Sequence, residues 1–265
     1  TSFFLSVNNG DQKGIMPVTA YRRNSIKLAA TADLSDKFYS SASINYIRAK
    51  GDLSVQGQGN SPYDQVLQTP RDISLLELKD YKNKFNDLNG YYGAYTINPW
   101  YILGEDGYTS VVDRILGNAQ IGYKPVKWLD ISLRVGTDVS NDKRKQIDSK
   151  RVIDPNSQNA ANNFPGRYAE TTINIREFTS DLIATAKKNL GKNFGLTVLL
   201  GHNIRQRNVD NQFSQISSLT IPFYYNLANS GQPPVTTNFY ALRRLYGVYT
   251  DVNLSYKNFL FVGLT

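Results

Sequence analysis

The stretch Tyr246–Tyr256, YGVYTDVNLSY, alternates along its whole length between two kinds of side chain. Its even-numbered positions carry Tyr, Val, Thr, Val, Leu and Tyr, whereas its odd-numbered positions carry Gly, Tyr, Asp, Asn and Ser. Because successive side chains of a β-strand point to opposite faces of a sheet, this pattern predicts a strand with one apolar and one polar face. Leu129–Val139 repeats it, with Leu, Ile, Leu and Val on one face and Asp, Ser, Arg and Asp on the other.

The same period of two marks about nine strands along the chain. Besides the two above, we expect strands at Ser2–Asn8, Ser25–Asp33, Phe38–Arg48, Arg114–Lys124, Phe178–Ala186, Phe194–Arg205 and Phe259–Thr265. Short connections at 33–37, 124–128, 188–193 and 257–258 alternate with long connections at 9–19, 51–112, 143–170 and 209–240. Nine of the ten prolines fall in the long connections, as expected of a residue that cannot donate a hydrogen bond to a sheet. Short turns at one end and long loops at the other are typical of an outer-membrane barrel, with the turns in the periplasm.

The longest predicted loop, 51–112, is not uniform in composition. Its first part, Gly51–Ser61, is rich in Gly, Ser and Gln, which favours a flexible segment. Asp72–Phe85 carries three leucines at roughly helical spacing, so we expect a short helix there with Asp72 as its cap.

Aromatic side chains flank the predicted short turns, as in the interfacial belt of a membrane barrel. Tyr246 lies ten residues from Tyr256 on the same face. At ~3.3 Å per residue and a ~40° tilt, this separation spans about 25 Å along the membrane normal, the height of the apolar band of such barrels. The predicted belt comprises Phe38, Tyr123, Trp128, Phe194, Tyr246, Tyr256 and Phe259.

We therefore expect an all-β fold, an antiparallel transmembrane β-barrel segment in which residues 1–265 form part of one barrel domain. About nine strands cannot close a bacterial single-chain barrel, which uses an even number, so further strands must complete it. The alternative is a soluble β-sandwich, in which Val248, Val252 and Leu254 would pack against a second sheet.

Composition and motifs favour no catalytic chemistry and no cofactor. The chain has no Cys, which excludes thiolate metal sites, and its single His, His202, is expected as an interfacial residue rather than as part of a triad or metal site. The formal charge of +8 is dispersed, and Lys143-Arg144-Lys145 is the only dense basic run, so we expect no nucleic-acid partner. A basic surface that attracts anionic solutes or meets lipopolysaccharide is an alternative interpretation of this charge. No apolar run reaches the ~18 residues that a transmembrane helix needs.

Four stretches resemble SusC/RagA-like TonB-dependent transporters of the Bacteroidetes. They are GIMPVTAYRRNSIKL (Gly14–Leu28), Asn98-Pro99-Trp100, DRILGNAQIGYKPVKWLDISLRVGTDVS (Asp113–Ser140) and RRLYGVYTDVNLSYKNFLFVGLT (Arg243–Thr265). The resemblance extends over essentially the whole chain, but each stretch is a pattern of strands and turns and none is a catalytic signature.

The resemblance implies a 22-stranded barrel in the bacterial outer membrane, crossed by many strands and filled by an N-terminal plug. It implies a SusD-like surface lipoprotein as a lid and TonB–ExbB–ExbD as the energy source. We find no signal peptide, plug or TonB box in these residues, so we expect those parts to lie elsewhere in the protein. Lipid and lipopolysaccharide are the expected surroundings.

The predicted function is therefore TonB-dependent import of a bulky nutrient, a glycan or a peptide, without enzymatic activity. The alternatives are a non-transport barrel, such as an adhesin or assembly component, and a soluble β-rich binding protein. Aromatic rings in the long loops could stack on sugars or contact peptide side chains, although they could equally pack within the loops or against the lid. The candidates are Tyr91, Tyr92, Tyr95, Trp100, Tyr101, Tyr108, Tyr224 and Tyr225, with Phe223 and Tyr240 beside them.

Overall fold

The computed structural model describes residues 1–93, 95–257 and 259–265 and contains one sheet of nine antiparallel strands. Each strand pairs with its sequence neighbours, in the order β1 to β9. The strands are β1 (Ser2–Lys13), β2 (Ala20–Asp33), β3 (Phe38–Leu53), β4 (Gly107–Val126), β5 (Leu129–Asp148), β6 (Arg167–Leu190), β7 (Phe194–Ile216), β8 (Val235–Tyr256) and β9 (Leu260–Leu264). The nine predicted strands are thus confirmed, and so is the alternation of short and long connections, apart from the first.

The strands extend much further toward the long-loop end than the alternation predicts. For example, β7 continues eleven residues past the predicted end at Arg205, to Ile216. The added sequence, Gln206–Ile216, is polar on both faces, so no period of two marks it. Pairing with β6 and β8 on either side nevertheless keeps it in the sheet. For the same reason the predicted long connection at 9–19 is wrong, because β1 and β2 pair up to Lys13 and Ala20 and leave only a short turn.

The register aligns the alternating apolar positions of neighbouring strands on one face, although single apolar residues such as Ile183, Leu199 and Leu245 lie on the other. In one row, Ile121 pairs with Leu133, Leu133 with Leu182, Leu182 with His202, and His202 with Val248. We call this side the apolar face and the other the polar face. The positions of the apolar face nearest the short turns form a band without charged residues on β2–β5 and β7–β9.

The apolar face is not covered by a second sheet. All described strands belong to the same sheet, and the side chain of Val248 is 74% exposed. The expected alternative of a soluble sandwich, with Val248 packed between two sheets, is therefore wrong. No helix among the described residues is long and apolar enough to cross a membrane.

The described residues bury their hydrophobic side chains at the long-loop end instead. One cluster comprises Ile97, Tyr101 and Ile102 of the β3–β4 loop, and a second joins Tyr168 and Ile216 to Leu219 of the β7–β8 loop. The strands between these loops and the short turns bury little, so the sheet itself is held by its hydrogen-bonded ladders.

The helices of the β3–β4 loop differ from the predicted one. Helices α1 (Pro62–Gln68) and α2 (Pro99–Glu105) each begin with proline behind a capping side chain, Ser61 or Asn98. A capped proline start is favourable because the missing N–H would be unpaired there anyway. The predicted helix at 72–85 reduces to one 3₁₀ turn, Glu77–Lys79, without a side-chain cap, so Asp72 does not cap a helix. Leu78 is buried in this turn, whereas Leu76 is 77% exposed, so the leucines do not form one buried stripe.

Candidate functional site

Three connections at the long-loop end fold together into one body, which we call the loop assembly: residues 54–106, 149–166 and 217–234. The first two are joined by side chains that bond to backbone atoms. The Asn159 side-chain amide donates to the carbonyl oxygen of Tyr91 at 2.5 Å and to that of Leu88 at 3.2 Å. The same segment also donates from its backbone, because the N–H of Asp154 bonds to Oδ1 of Asn89 at 2.8 Å. Such bonds satisfy polar groups that the folded loops remove from water.

A buried ion pair lies where the loop assembly joins β4 and β5. Nη2 of Arg151 donates to Oδ2 of Asp106 at 2.8 Å, and their side chains are 6% and 0% exposed. Ser149 donates to the other carboxylate oxygen from its hydroxyl at 2.6 Å and from its backbone N–H at 2.7 Å. The Ser149 hydroxyl also lies 3.1 Å from that of Tyr101. This network connects the end of the β3–β4 loop to the start of the β5–β6 loop.

Burial dominates the electrostatics of this network. It raises the pKa of the Asp106 carboxyl, although Arg151 and the bonds from Ser149 act in the opposite direction. Burial also raises the pKa of the Tyr101 hydroxyl. The guanidinium of Arg151 stacks on the Phe164 ring at 5.3 Å, which gives the cation a second favourable contact.

The third connection, 217–234, folds over the apolar face beyond the band. Leu219 is fully buried there against Tyr168 and Ile216, whose register positions lie on the apolar face. Lys150 binds the Leu219 carbonyl oxygen at 2.8 Å, which ties this loop to the β5–β6 loop. Gly166 has a φ of +83°, and a Cβ there would come within 2.7 Å of the Leu219 side chain.

On the polar face, a cavity of about 390 Å³ opens where the β3–β4 loop leaves the sheet. Its lining includes Tyr108 and Gln146, which are directly paired across β4 and β5. Leu53 and Gln56 contribute to its wall from the end of β3 and the loop. The cavity therefore combines a phenol, two amides and apolar side chains, which suits an uncharged polar ligand group.

A second, apolar groove of about 180 Å³ was not anticipated from the sequence. It lies between the β1–β2 turn and the β3–β4 loop. The groove is lined by Met16, Pro17, Pro62, Tyr63, Val66, Leu75, Pro99, Trp100 and Leu103. The sequence signal for the groove is the capped proline at the start of α1 and of α2, because it predicts the positions of the two helices that line the groove.

Comparison with known proteins identifies the fold. No protein-family model matches the chain, and no curated protein does. Among solved structures, the RagAB peptide importer in its "open-open" state has a TM-score of 0.78 at 15% identity, over 98% of this chain and 29% of that chain. The unliganded ferric citrate transporter FecA has a TM-score of 0.54 at 11% identity, over 96% of this chain and 30% of that one. BauA, the ferric preacinetobactin receptor from Acinetobacter baumannii, has the same TM-score and identity, over 96% of this chain and 34% of that one.

The chain has the fold of a section of an outer-membrane transporter barrel. It spans only about 30% of the length of these structures and resembles them at identities that establish the fold alone. The SusC/RagA-like resemblance expected from the sequence is thus confirmed at the level of the fold. These neighbours are transporters and receptors, and none is an enzyme.

In this barrel section, four of the seven predicted belt residues form two pairs beside the short turns. Phe38 stacks on Tyr123 with ring centroids 4.6 Å apart, and Phe194 lies 4.9 Å from Tyr256. Both pairs are in register on the apolar face. Trp128, Tyr246 and Phe259 are exposed, at 47%, 68% and 79%. Their role at a membrane interface stays a prediction.

The predicted loop aromatics divide into buried and accessible ones. Tyr91 and Tyr101 are 1% and 6% exposed and serve as interior side chains of the loop assembly. Tyr92 lies against Tyr91, and Tyr225 lies 6.3 Å from the Tyr168 ring. The accessible side chains are Tyr95 at 86% exposure, Tyr224 at 52%, Phe223 at 56% and Tyr240 at 62%, with half-buried Trp100 at the apolar groove and Tyr108 at the polar cavity.

The described residues contain no group of three or more His, Asp or Glu side chains that could hold a metal ion.

Proposed function

We propose that the chain is the barrel part of an outer-membrane transporter that imports a bulky nutrient, a glycan or a peptide. The observation that carries this proposal is the register of the sheet, which aligns the alternating apolar positions of neighbouring strands into one uncovered face. Soluble proteins rarely expose a continuous apolar patch of more than a few hundred Å². A lipid bilayer is the surroundings in which such a face is stable.

The polar face then lines the interior of the barrel. It carries hydroxyl, amide and charged side chains, among them Asn118, Arg134 and Asp138. Strands at an open edge would leave backbone N–H and C=O groups unpaired in lipid. We therefore propose that residues 1–265 form part of one multi-strand barrel domain, which other strands close and a plug fills.

The loop assembly is the proposed extracellular platform for substrate and lid. RagAB pairs its SusC-like barrel with a SusD-like lipoprotein, which supports a lid of that kind here. The apolar groove and Trp100 would meet the lid, whereas Tyr95, Tyr108 and Tyr224 would be accessible to substrate. The TonB–ExbB–ExbD complex would act through the plug, and lipopolysaccharide would surround the outer leaflet.

The test is a deletion of the whole gene in its natural host. We expect the protein in isolated outer membranes and a loss of uptake of one labelled nutrient pool, oligosaccharide or oligopeptide. Reintroduction of the gene should restore that uptake. Recovery of the full-length protein in the soluble fraction would contradict the membrane assignment. Outer-membrane location without any uptake defect would favour the adhesin or assembly alternative.

A further inference from the structure

The polar face carries an excess of arginine where the strands leave the band. Three successive rows of this face contain Arg114, Arg205, Arg207 and Arg243 but, from β4 to β8, only two carboxylates, Asp138 and Glu177. Asp138, Glu177, Arg207 and Arg243 stand side by side on β5, β6, β7 and β8, in direct register. The position of each charge is thus set by the backbone pairing.

Both carboxylates are already fully engaged. Nε of Arg114 donates to Oδ1 of Asp138 at 2.8 Å, and its Nη2 donates to Oδ2. Arg205 forms the same kind of bidentate pair with Glu177. Its Nε donates to Oε1 at 2.9 Å and its Nη2 to Oε2 at 3.0 Å. A bidentate pair engages both oxygens of a carboxylate, so each acid offsets one arginine and two of the four arginines are in excess.

Among the described residues, no carboxylate is bonded to Arg207 or Arg243; Arg207 is attracted to Asp138, but that carboxylate is already paired with Arg114. Arg207 and Arg243 face each other directly across β7 and β8, and both are exposed. Among the described residues, neither makes a hydrogen bond or an ion pair. Like charges directly opposite on adjacent strands destabilise a sheet, so this arrangement favours a bound anion.

The position of Arg207 and Arg243 relative to the band favours a solute from outside as their ligand. Arg243 lies three residues beyond Tyr246 on β8, which is roughly 10 Å along the strand toward the loops. The pair therefore sits just above the band, near the middle of β7 and β8 and facing the interior. At this level a solute from outside would arrive before it reached the middle of the barrel.

We propose that Arg207 and Arg243 bind an oxyanionic group, a carboxylate or sulfate, of the imported solute. Two adjacent guanidinium groups offer planar forked donors that match such groups. This proposal rests on the proposed function in one respect: the polar face must be the barrel interior. It deepens that function by assigning an acidic substrate.

The test uses the purified full-length transporter in detergent and inorganic sulfate as the probe. We expect sulfate to raise the unfolding temperature of the wild type saturably, beyond chloride at equal ionic strength. Arg207→Gln and Arg243→Gln should each weaken sulfate binding about threefold, and the double variant at least tenfold. Arg244→Gln is the matched control, because Arg244 lies on the apolar face and bonds to Gln206 at 2.9 Å. It should leave sulfate binding unchanged.

A competition arm identifies the source of the anion. The peptide Ala-Glu-Ala-Glu-Ala should displace sulfate, whereas Ala-Gln-Ala-Gln-Ala should not. If sulfate did not stabilise the wild type, the proposal would be overturned. That result would mean that a carboxylate of the protein itself, from the plug or another strand, already occupies the arginine pair. Equal sulfate binding by the double variant would overturn the proposal as well. Because binding is measured without transport, a failed uptake experiment with intact sulfate binding would count against the proposed function alone.

Discussion

The band and the loop assembly obtain their stability in opposite ways. In the band, side chains such as Val248 remain largely exposed and backbone ladders provide the order. In the loop assembly, Asp106, Ser149 and Arg151 are almost fully buried, and the Asp106 carboxylate bonds to both of the other residues. The difference indicates that the band depends on its surroundings, whereas the loop assembly carries its own interior. Substitutions in the band should therefore be detected by unfolding from lipid, and substitutions in the loop assembly by local hydrogen exchange.

The largest effect is expected from Asp106→Asn, which leaves the buried Arg151 without a counter-charge. Removal of one partner from a buried ion pair costs about 3–5 kcal/mol. The loss should appear as faster hydrogen exchange and protease cleavage in residues 149–166 of the full-length protein. Asp113→Asn is the control, because its ion pair with Arg48 is exposed and such pairs contribute less than about 1 kcal/mol. Equal protection in both variants would contradict a structural role for the buried pair.

The next effect concerns the band. Val252→Lys puts a charge on the apolar face between Tyr246 and Tyr256, and a charge near the bilayer midplane costs about 2–4 kcal/mol. Asn253→Lys places the same charge on the polar face, one residue away, beside Asp251. Unfolding of the full-length variants from lipid vesicles measures both. If the two variants were equally stable, the assignment of the faces would be wrong.

A smaller effect is expected from Gly166→Ala in the loop assembly. An alanine at positive φ costs about 1–2 kcal/mol, and the new Cβ would also collide with Leu219. Gly191 has a similar φ of +74°, but a Cβ there would meet nothing within 4 Å. Gly191→Ala should therefore lose only the stability that the strained backbone costs. Exchange of the backbone amides of residues 217–220 should accelerate in the first variant alone. Acceleration in both would show that the contact with Leu219 is unimportant.

The smallest effect on stability is expected from Tyr95→Ala, because that side chain is 86% exposed. It should leave the unfolding temperature unchanged and weaken substrate uptake, if Tyr95 contacts the substrate. Tyr91→Ala should instead lower the unfolding temperature, because it empties an interior position. The expected cost is about 3–5 kcal/mol. Unchanged uptake in Tyr95→Ala would remove that residue from the substrate-contacting set.

The strand positions could be predicted because apolar residues alternate wherever one face meets a low-polarity environment. Leu129 and Phe194 begin strands where the pattern predicts. The pattern fails beyond Arg205, since both faces of the extended strand are polar and only the neighbouring strands hold it in place. In the loops it fails again, because adjacent tyrosines such as Tyr91 and Tyr92 have identical local signals but different burial.

By itself, the sequence determined the period of two, the nine strands, their short turns and the apolar character of one face, because these are local consequences of side-chain order. Tertiary structure alone decided the register that aligns the apolar positions into one band, the partners of the buried Asp106 and the pairing of Arg207 with Arg243. Each of these depends on residues far apart in the chain that only the ladder and the loop contacts bring together.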